Sequence, residues 1–248
     1  MELYYNFLAF WILFGALTFL YLIFSKIAAP YGRHQNNKWG WSIENNWGWF
    51  WMELPALLVM PILVIIGPAE IDGYILFILF LWCFHYFYRT VIFPFKLNTK
   101  GKKIPVVIVC SAFIFNLING FFVGYELGFI LENNFSLSPN FIIGIIVFSV
   151  GVYINRTSDN KLISLRSESN EYQIPKGGLF NYISCPNHFG EIIEWLGFAI
   201  ILWNLSALSF VLWTAYNLIP RALNHHQWYK QHFSNYPTSR KAVFPFIF

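Results

Sequence analysis

Seven apolar segments, each long enough or nearly so to cross a bilayer, leave this chain few ways to fold. They run about Leu3–Phe24, Trp49–Ile66, Tyr74–Phe95, Pro105–Leu131, Pro139–Asn155, Asn187–Trp203 and Leu205–Arg221. Backbone polar groups in hydrocarbon must be satisfied within the segment, as they are in a helix. The expectation is an all-α polytopic membrane protein with seven transmembrane helices. So little chain separates the last two segments, around Asn204, that they read as a tight helical hairpin. Composition agrees: 57% of residues are hydrophobic and 11% charged, where soluble domains carry about 25% charged residues. The first segment lacks a basic leader and a small-residue cleavage site, so it reads as a retained helix.

Lysine and arginine set the expected orientation. Lys26, Arg33 and Lys38 follow the first segment, and Lys96, Lys100, Lys102 and Lys103 follow the third. Arg156, Lys161, Arg166 and Lys176 follow the fifth, and Arg221, Lys230, Arg240 and Lys241 lie in the tail. The alternate loops, around Gly67–Gly73 and Glu132–Ser138, hold Glu70, Asp72 and Glu132 and no base. The positive-inside rule then puts the N-terminus outside and the C-terminus in the cytosol. The net charge of +4 is accounted for by this cytoplasmic face and calls for no nucleic-acid partner. Cys83, Cys110 and Cys185 form neither a disulfide framework nor a metal-ligand spacing.

The remaining base, Arg89, lies inside the third segment, and Glu53 lies inside the second. A charge in hydrocarbon needs a partner or a polar cavity. The plainer reading is a structural Glu53–Arg89 ion pair. Pro55 removes a backbone hydrogen bond close to Glu53 and is expected to bend that helix.

Three polar stripes follow. Asn187, Glu191 and Glu194 fall at i, i+4 and i+7 behind Pro186, a residue suited to a first helical turn. Asn155, Asp159 and Arg166 fall at i, i+4 and i+11; Arg221, His225 and Tyr229 at i, i+4 and i+8. Each alone reads as a solvated helix end, with acids complementing a dipole in the first case. Together, on the cytosolic side of segments five to seven, they point to one polar cavity. Its mixture of acids and bases suits a phosphate-bearing, hydroxyl-rich ligand such as a dinucleotide. No GxGxxG, GxxxxGK[ST], HExxH or GxSxG pattern is present, so helical side chains must hold it.

Several pieces stand out in order along the chain: Tyr31-Gly32-Arg33-His34, Trp51-Met52-Glu53-Leu54-Pro55, His85-Tyr86-Phe87-Tyr88-Arg89-Thr90 and Tyr172-Gln173-Ile174-Pro175-Lys176-Gly177-Gly178. Others are Asn187 with Gly190-Glu191-Ile192-Ile193-Glu194-Trp195, Arg221-Ala222 with His225-His226, and the ending Pro245-Phe246-Ile247-Phe248. In these pieces the chain resembles the steroid 5-alpha-reductase family. The resemblance implies one seven-helix domain over residues 1–248, with a substrate half about 1–135 and a cofactor half about 136–248. It implies NADPH-dependent reduction of the C4–C5 double bond of a 3-oxo-Δ4 steroid. Glu53 and Tyr86 would hold the 3-keto oxygen, with Tyr31, Trp49 and Trp195 as further substrate contacts. Asn155, Asp159, Arg166, Tyr172, Asn187, Glu191, Arg221, His225, Tyr229 and Lys102 would bind the cofactor. The family's basic pair after the third helix is lysine here, Lys100 and Lys102.

The implied partners are a steroid or related lipid enone and the bilayer, with no obligate protein partner. The implied location is the endoplasmic reticulum in a eukaryote or the inner membrane in a bacterium. An enoyl-thioester reductase of lipid elongation shares the Ser184-Cys185-Pro186-Asn187 segment and the Pro-Phe-Ile ending; an S-adenosylmethionine-dependent membrane methyltransferase is the more distant alternative.

Overall fold

The computed structural model of the chain describes residues 1–35, 37–99, 101–131, 138–168 and 171–247. Helix accounts for 76% of it. The main helices are α1 (Glu2–Ser25), α2 (Asn45–Ile66), α3 (Gly73–Phe87), α4 (Phe93–Lys96), α5 (Val106–Tyr125), α6 (Pro139–Glu168), α7 (Pro186–Leu202) and α8 (Leu205–His232). A π turn, Tyr88–Ile92, joins α3 to α4, and a second, Glu126–Ile130, ends α5.

All seven predicted segments lie on these helices. Among the described residues, five stretches are long and apolar enough to cross a membrane: Glu2–Ser25, Asn45–Ile66, Gly73–Lys96, Val106–Ile130 and Pro139–Glu168. Helix α6 runs on to Glu168 and α8 to His232, past the apolar sequence, because no proline or glycine stops them there. The hairpin around Asn204 is present. Trp203 closes α7 in the left-handed conformation, and the Asn204 side chain caps α8 by accepting from Ala207 N at 2.9 Å. A short antiparallel pair, β1 (Ser42–Glu44) with β2 (Lys103–Pro105), sets Ile43 opposite Ile104 and was not expected. The acidic loop residue Glu132 and the base Lys100 lie outside the described residues.

Two compact units are present, Met1 with Ala29–Ser136 and Glu2–Ala28 with Leu137–Phe248. In the first, α5 lies along α2 on a stripe of small residues. A Cβ added at Gly124 would come within 2.9 Å of the Met60 backbone, and one at Gly128 within 2.5 Å of the Leu63 carbonyl. Lipid gives apolar helices no hydrophobic reason to associate, so backbone approach and interhelical hydrogen bonds must hold them. Both are used. Helix α2 continues unbroken through Pro55 and Pro61. Side chains of its neighbours donate to its carbonyls: Trp82 Nε1 to Ala56 O at 2.8 Å and Asn116 Nδ2 to Met52 O at 2.7 Å.

In the second unit α6 and α7 approach more closely still. A Cβ at Gly151 would lie 2.1 Å from Glu194 N, and one at Gly197 2.2 Å from Phe148 N. Helix α1 packs on α8 in the same unit. Trp213 stands over Gly15 and donates from Nε1 to Trp11 O at 3.2 Å. The remainder of α1, including Phe7, Phe10, Leu13, Leu17 and Phe24, is exposed apolar surface of the kind a bilayer covers.

Gly197→Ala is expected to force α6 and α7 apart and cost about 1–3 kcal/mol, several degrees in Tm. Gly73→Ala, whose Cβ would meet nothing within 4 Å, should leave Tm unchanged or raise it. Thermal scans of both variants in one detergent check this; equal Tm values would remove the close-contact account.

Candidate functional site

In the first unit an ionic group sits inside apolar helices. Arg89 Nη2 lies 3.7 Å from Glu53 Oε1, with side-chain exposures of 10% and 13%. The Arg89 guanidinium is held between aromatic faces, 5.1 Å from the Trp49 ring centre and 4.6 Å from that of Phe93. Both distances are within cation–π range. Tyr31 closes edge-on against Trp49 at 6.2 Å. Thus Glu53, Tyr31 and Trp49, singled out in the sequence, gather around Arg89. The Glu53–Arg89 pair is real, but its aromatic surround is more than a neutralised charge requires.

The register of α3 against α2 brings Tyr86 to this end of the helices. Trp82 bonds Ala56 O, and about two turns further along the chain Arg89 meets Glu53, about one turn back along α2. Tyr86 lies between Trp82 and Arg89 in the chain. Its ring is 4% exposed and packs on Trp82 at 4.9 Å and His85 at 5.0 Å. The π turn Tyr88–Ile92 follows at once. It inserts one extra residue into the helical repeat and so re-aims Arg89, a use to which such turns are often put at functional sites. Lys102 also belongs to this unit, where its Nζ donates to Gly32 O at 3.0 Å.

The second unit carries the other cluster. With α6 and α7 in backbone contact at Gly151 and Gly190, short side chains span the seam. Asn155 Nδ2 donates to Asn187 O at 3.0 Å and to Glu191 Oε2 at 3.4 Å. Asn187 Nδ2 donates to Asp159 Oδ1 at 3.0 Å. Four residues chosen from two separate stripes therefore form one hydrogen-bonded lattice. Asn155 is 1% exposed, and its Oδ1 is buried with no hydrogen-bond partner among the described residues. Such an acceptor is costly unless a ligand donor meets it.

Further along α6, the Arg166 guanidinium stacks on the Tyr172 ring at 4.0 Å, and Tyr172 meets Trp228 edge-on at 5.0 Å. Arg166 Nη1 is buried and makes no hydrogen bond among the described residues. The Asn155 acceptor in the middle of α6 and the Arg166 donor thus lie eleven residues, about three turns, apart on one helix. Arg221 and His225 are half-buried on α8, where the His225 ring lies 5.8 Å from that of His188. Tyr229, 2% exposed, stacks on Tyr236 at 5.3 Å. Trp195 is fully buried, edge-on to Phe148, Phe198 and Phe210, and its ring is used in packing this unit.

Two groups escaped the sequence reading. Asn116 reaches the Glu53 carboxyl from α5 (3.3 Å, Nδ2 to Oε2); the signal available was an asparagine in a membrane-length segment that also holds Asn119 and Glu126. Ser184 Oγ lies 2.6 Å from both His226 Nδ1 and Tyr236 Oη and donates to Lys241 O at 3.0 Å. With Ser184 N donating to Lys241 O and Cys185 N to Ala242 O, it pins the C-terminal segment beside α7. Partners 42 to 57 residues apart leave no local pattern.

Burial first, and then the charges of Lys230, Arg240 and Lys241, bring His226 from its ordinary 6.5 down to about 4. It lies in the polar end of α8, past the apolar sequence. Above pH 6.5 the imidazole is neutral folded and unfolded, and the contribution is complete. As pH falls from 6.5 towards 4, the unfolded chain takes up a proton that the folded chain refuses, so stability drops. Wild type should therefore lose more Tm between pH 6.5 and 4 than His226→Gln. Parallel curves for the two would show that the imidazole does not titrate as stated.

A model of the 3-oxo-5-alpha-steroid 4-dehydrogenase family matches residues 102–248. The chain is 40% identical to steroid 5-alpha-reductase DET2 of Arabidopsis thaliana over 233 residues, 90% of this chain and 88% of that protein. It is 37% identical to steroid 5-alpha-reductase DET2 of Solanum lycopersicum over 252 residues, 98% and 97% of the two chains. Against 3-oxo-5-alpha-steroid 4-dehydrogenase 1 of Rattus norvegicus the identity is 35% over 242 residues, 94% and 92% of the two.

Proposed function

Because the chain belongs to the 3-oxo-5-alpha-steroid 4-dehydrogenase family of oxidoreductases, we propose that it reduces the C4–C5 double bond of 3-oxo-Δ4 steroids with NADPH. The observation that carries this reading is the placement of Glu53 and Tyr86. They are polar groups on two apolar helices, held in register by the Trp82–Ala56 hydrogen bond and the Arg89–Glu53 pair.

The residues suit the chemistry. Bound NADPH supplies the hydride. Hydride at the β-carbon of the enone leaves negative charge on the keto oxygen, to which the Tyr86 hydroxyl donates a hydrogen bond; a proton taken up from water at the α-carbon then restores the ketone. Glu53 orients the same oxygen or the phenol, and Arg89 fixes Glu53. Tyr31 and Trp49 offer flat apolar walls to a ring system. For the cofactor, Asn155 Oδ1 accepts from a ligand amide, Asn187 O and Glu191 hold that asparagine while Asp159 holds the Asn187 amide, and Arg166 Nη1 donates to phosphate. Tyr172, Arg221, His225 and Tyr229 complete this set from the second unit.

In the bilayer, α7 and α8 join the five more apolar stretches to make seven spans, with the N-terminus outside and the C-terminus cytosolic. The apolar start of α8 and the 17-residue α7 support this, 17 residues being about 25 Å of helix. The host membrane is the endoplasmic reticulum in a eukaryote or the inner membrane in a bacterium.

Purified protein, NADPH and a panel of enones, read by product mass, test the activity. A steroid should gain two hydrogens, while a trans-2-enoyl thioester is left unchanged; reduction of the thioester alone overturns the reading. Tyr86→Phe should lower kcat about 10²–10³-fold with NADPH affinity intact. Asn187→Ala should weaken NADPH binding by about 1–3 kcal/mol. Near-wild-type turnover in the first, or unchanged NADPH affinity in the second, would remove that residue's role.

Single cysteines introduced at Lys103 and at Ser239 should label from the same side of sealed vesicles. Labelling from opposite sides would overturn the orientation.

A further inference from the structure

Helix α5 contributes nothing to the reaction as described, yet it carries an asparagine, Asn116, 6% exposed in the interior of the first unit. Asn116 leads a stripe at i, i+4, i+8 and i+12 with Gly120, Gly124 and Gly128, the residues that meet α2. A Cβ at Gly120 would lie 3.3 Å from Val59 Cβ, and the approach tightens to 2.9 Å at Gly124. The seam thus carries a short side chain at its end to the carboxyl-bearing turn of α2.

The amide is used twice there. Nδ2 donates to Met52 O at 2.7 Å and to Glu53 Oε2 at 3.3 Å. The first bond ties the amide to the α2 backbone and fixes the direction of the second. Glu53 Oε1 faces Arg89. The two carboxyl oxygens therefore meet donors from different helices, one from the turn after α3 and one from α5. A carboxyl gripped at one oxygen still swings about its terminal torsion, which is broad; gripped at both, its plane is set.

We propose that Asn116 is a positioning residue for the reaction, setting the plane of the Glu53 carboxyl from α5 so that Glu53 presents one orientation to the substrate carbonyl. The proposal rests on the role given to Glu53 above. It makes α5 part of the catalytic apparatus without placing any α5 side chain on the substrate.

A double-mutant cycle tests it, with kcat and KM for the steroid, NADPH affinity and Tm measured on wild type, Asn116→Ala, Glu53→Gln and the double variant. Asn116→Ala should lower kcat/KM about tenfold, as expected for a lost hydrogen bond to a charged group, and leave NADPH affinity unchanged. In the Glu53→Gln background the same substitution should change kcat/KM less than twofold, because the group it positions is already altered. Should Asn116→Ala not fold, Asn116→Leu, which keeps volume in an apolar helix, takes its place in the cycle. Equal losses in both backgrounds mean that Asn116 acts on the fold at large and overturn the proposal, as does a wild-type kcat/KM for Asn116→Ala or Asn116→Leu. If Glu53→Gln alone retains wild-type kcat/KM, the role of Glu53 falls and the proposal with it. A loss in Glu53→Gln with none in Asn116→Ala sinks the positioning role only.

Discussion

Backbone-to-backbone contact at glycine is the constraint on which each unit depends. In the first, the Gly120–Gly124–Gly128 stripe of α5 lies on α2; in the second, Gly144 and Gly151 of α6 lie on Gly197 and Gly190 of α7. Each seam ends in an asparagine, and the two behave alike. Asn116 bonds Met52 O and Glu53; Asn155 bonds Asn187 O and Glu191. In both, one amide reads a backbone carbonyl and a neighbouring carboxyl on the facing helix. A larger residue at the glycines would lift the asparagine out of reach, so packing and polar geometry are one specification. The small residues that hold helices together in lipid here also set the distance over which the chemistry works.

The polar groups are expensive, and the fold makes that expense tolerable in different ways. Arg89 is stripped of water but has Glu53 on one side and aromatic faces on two others. Glu191 Oε2 accepts from the Asn155 amide and Asp159 Oδ1 from the Asn187 amide, so each carboxylate meets a donor across the α6–α7 seam.

Much of this was legible in the sequence, for identifiable reasons. Runs of apolar residues of membrane length can only be helices, and all seven lie on helices. Asn155, Asp159, Asn187 and Glu191 were legible as stripes because helical spacing survives in sequence; that the stripes interlock was not, since it depends on Gly151 and Gly190 touching. Glu53 and Arg89 announced themselves as charges in apolar segments, while Asn116, uncharged and one of two asparagines in its segment, did not. The β1–β2 pair is too short for alternation to show. The Ser184–His226–Tyr236 cluster joins residues with no common period. Trp195 shows the reverse: an aromatic that reads as ligand wall from sequence is enclosed by Phe148, Phe198 and Phe210.

The docking of α1 on α8 has a consequence for how the chain is made. Trp11 and Trp213 are bonded across 202 positions. At a synthesis rate of about 5–20 residues per second, α1 is complete some 10–40 s before its partner exists. During that interval its Gly15 notch faces lipid or a chaperone of the insertion machinery, and it serves as a bystander. The second unit is thus assembled last to first. Its opening helix waits in the bilayer until the closing helix arrives, and a nascent chain halted before Trp213 would carry α1 with its own docking surface still uncovered.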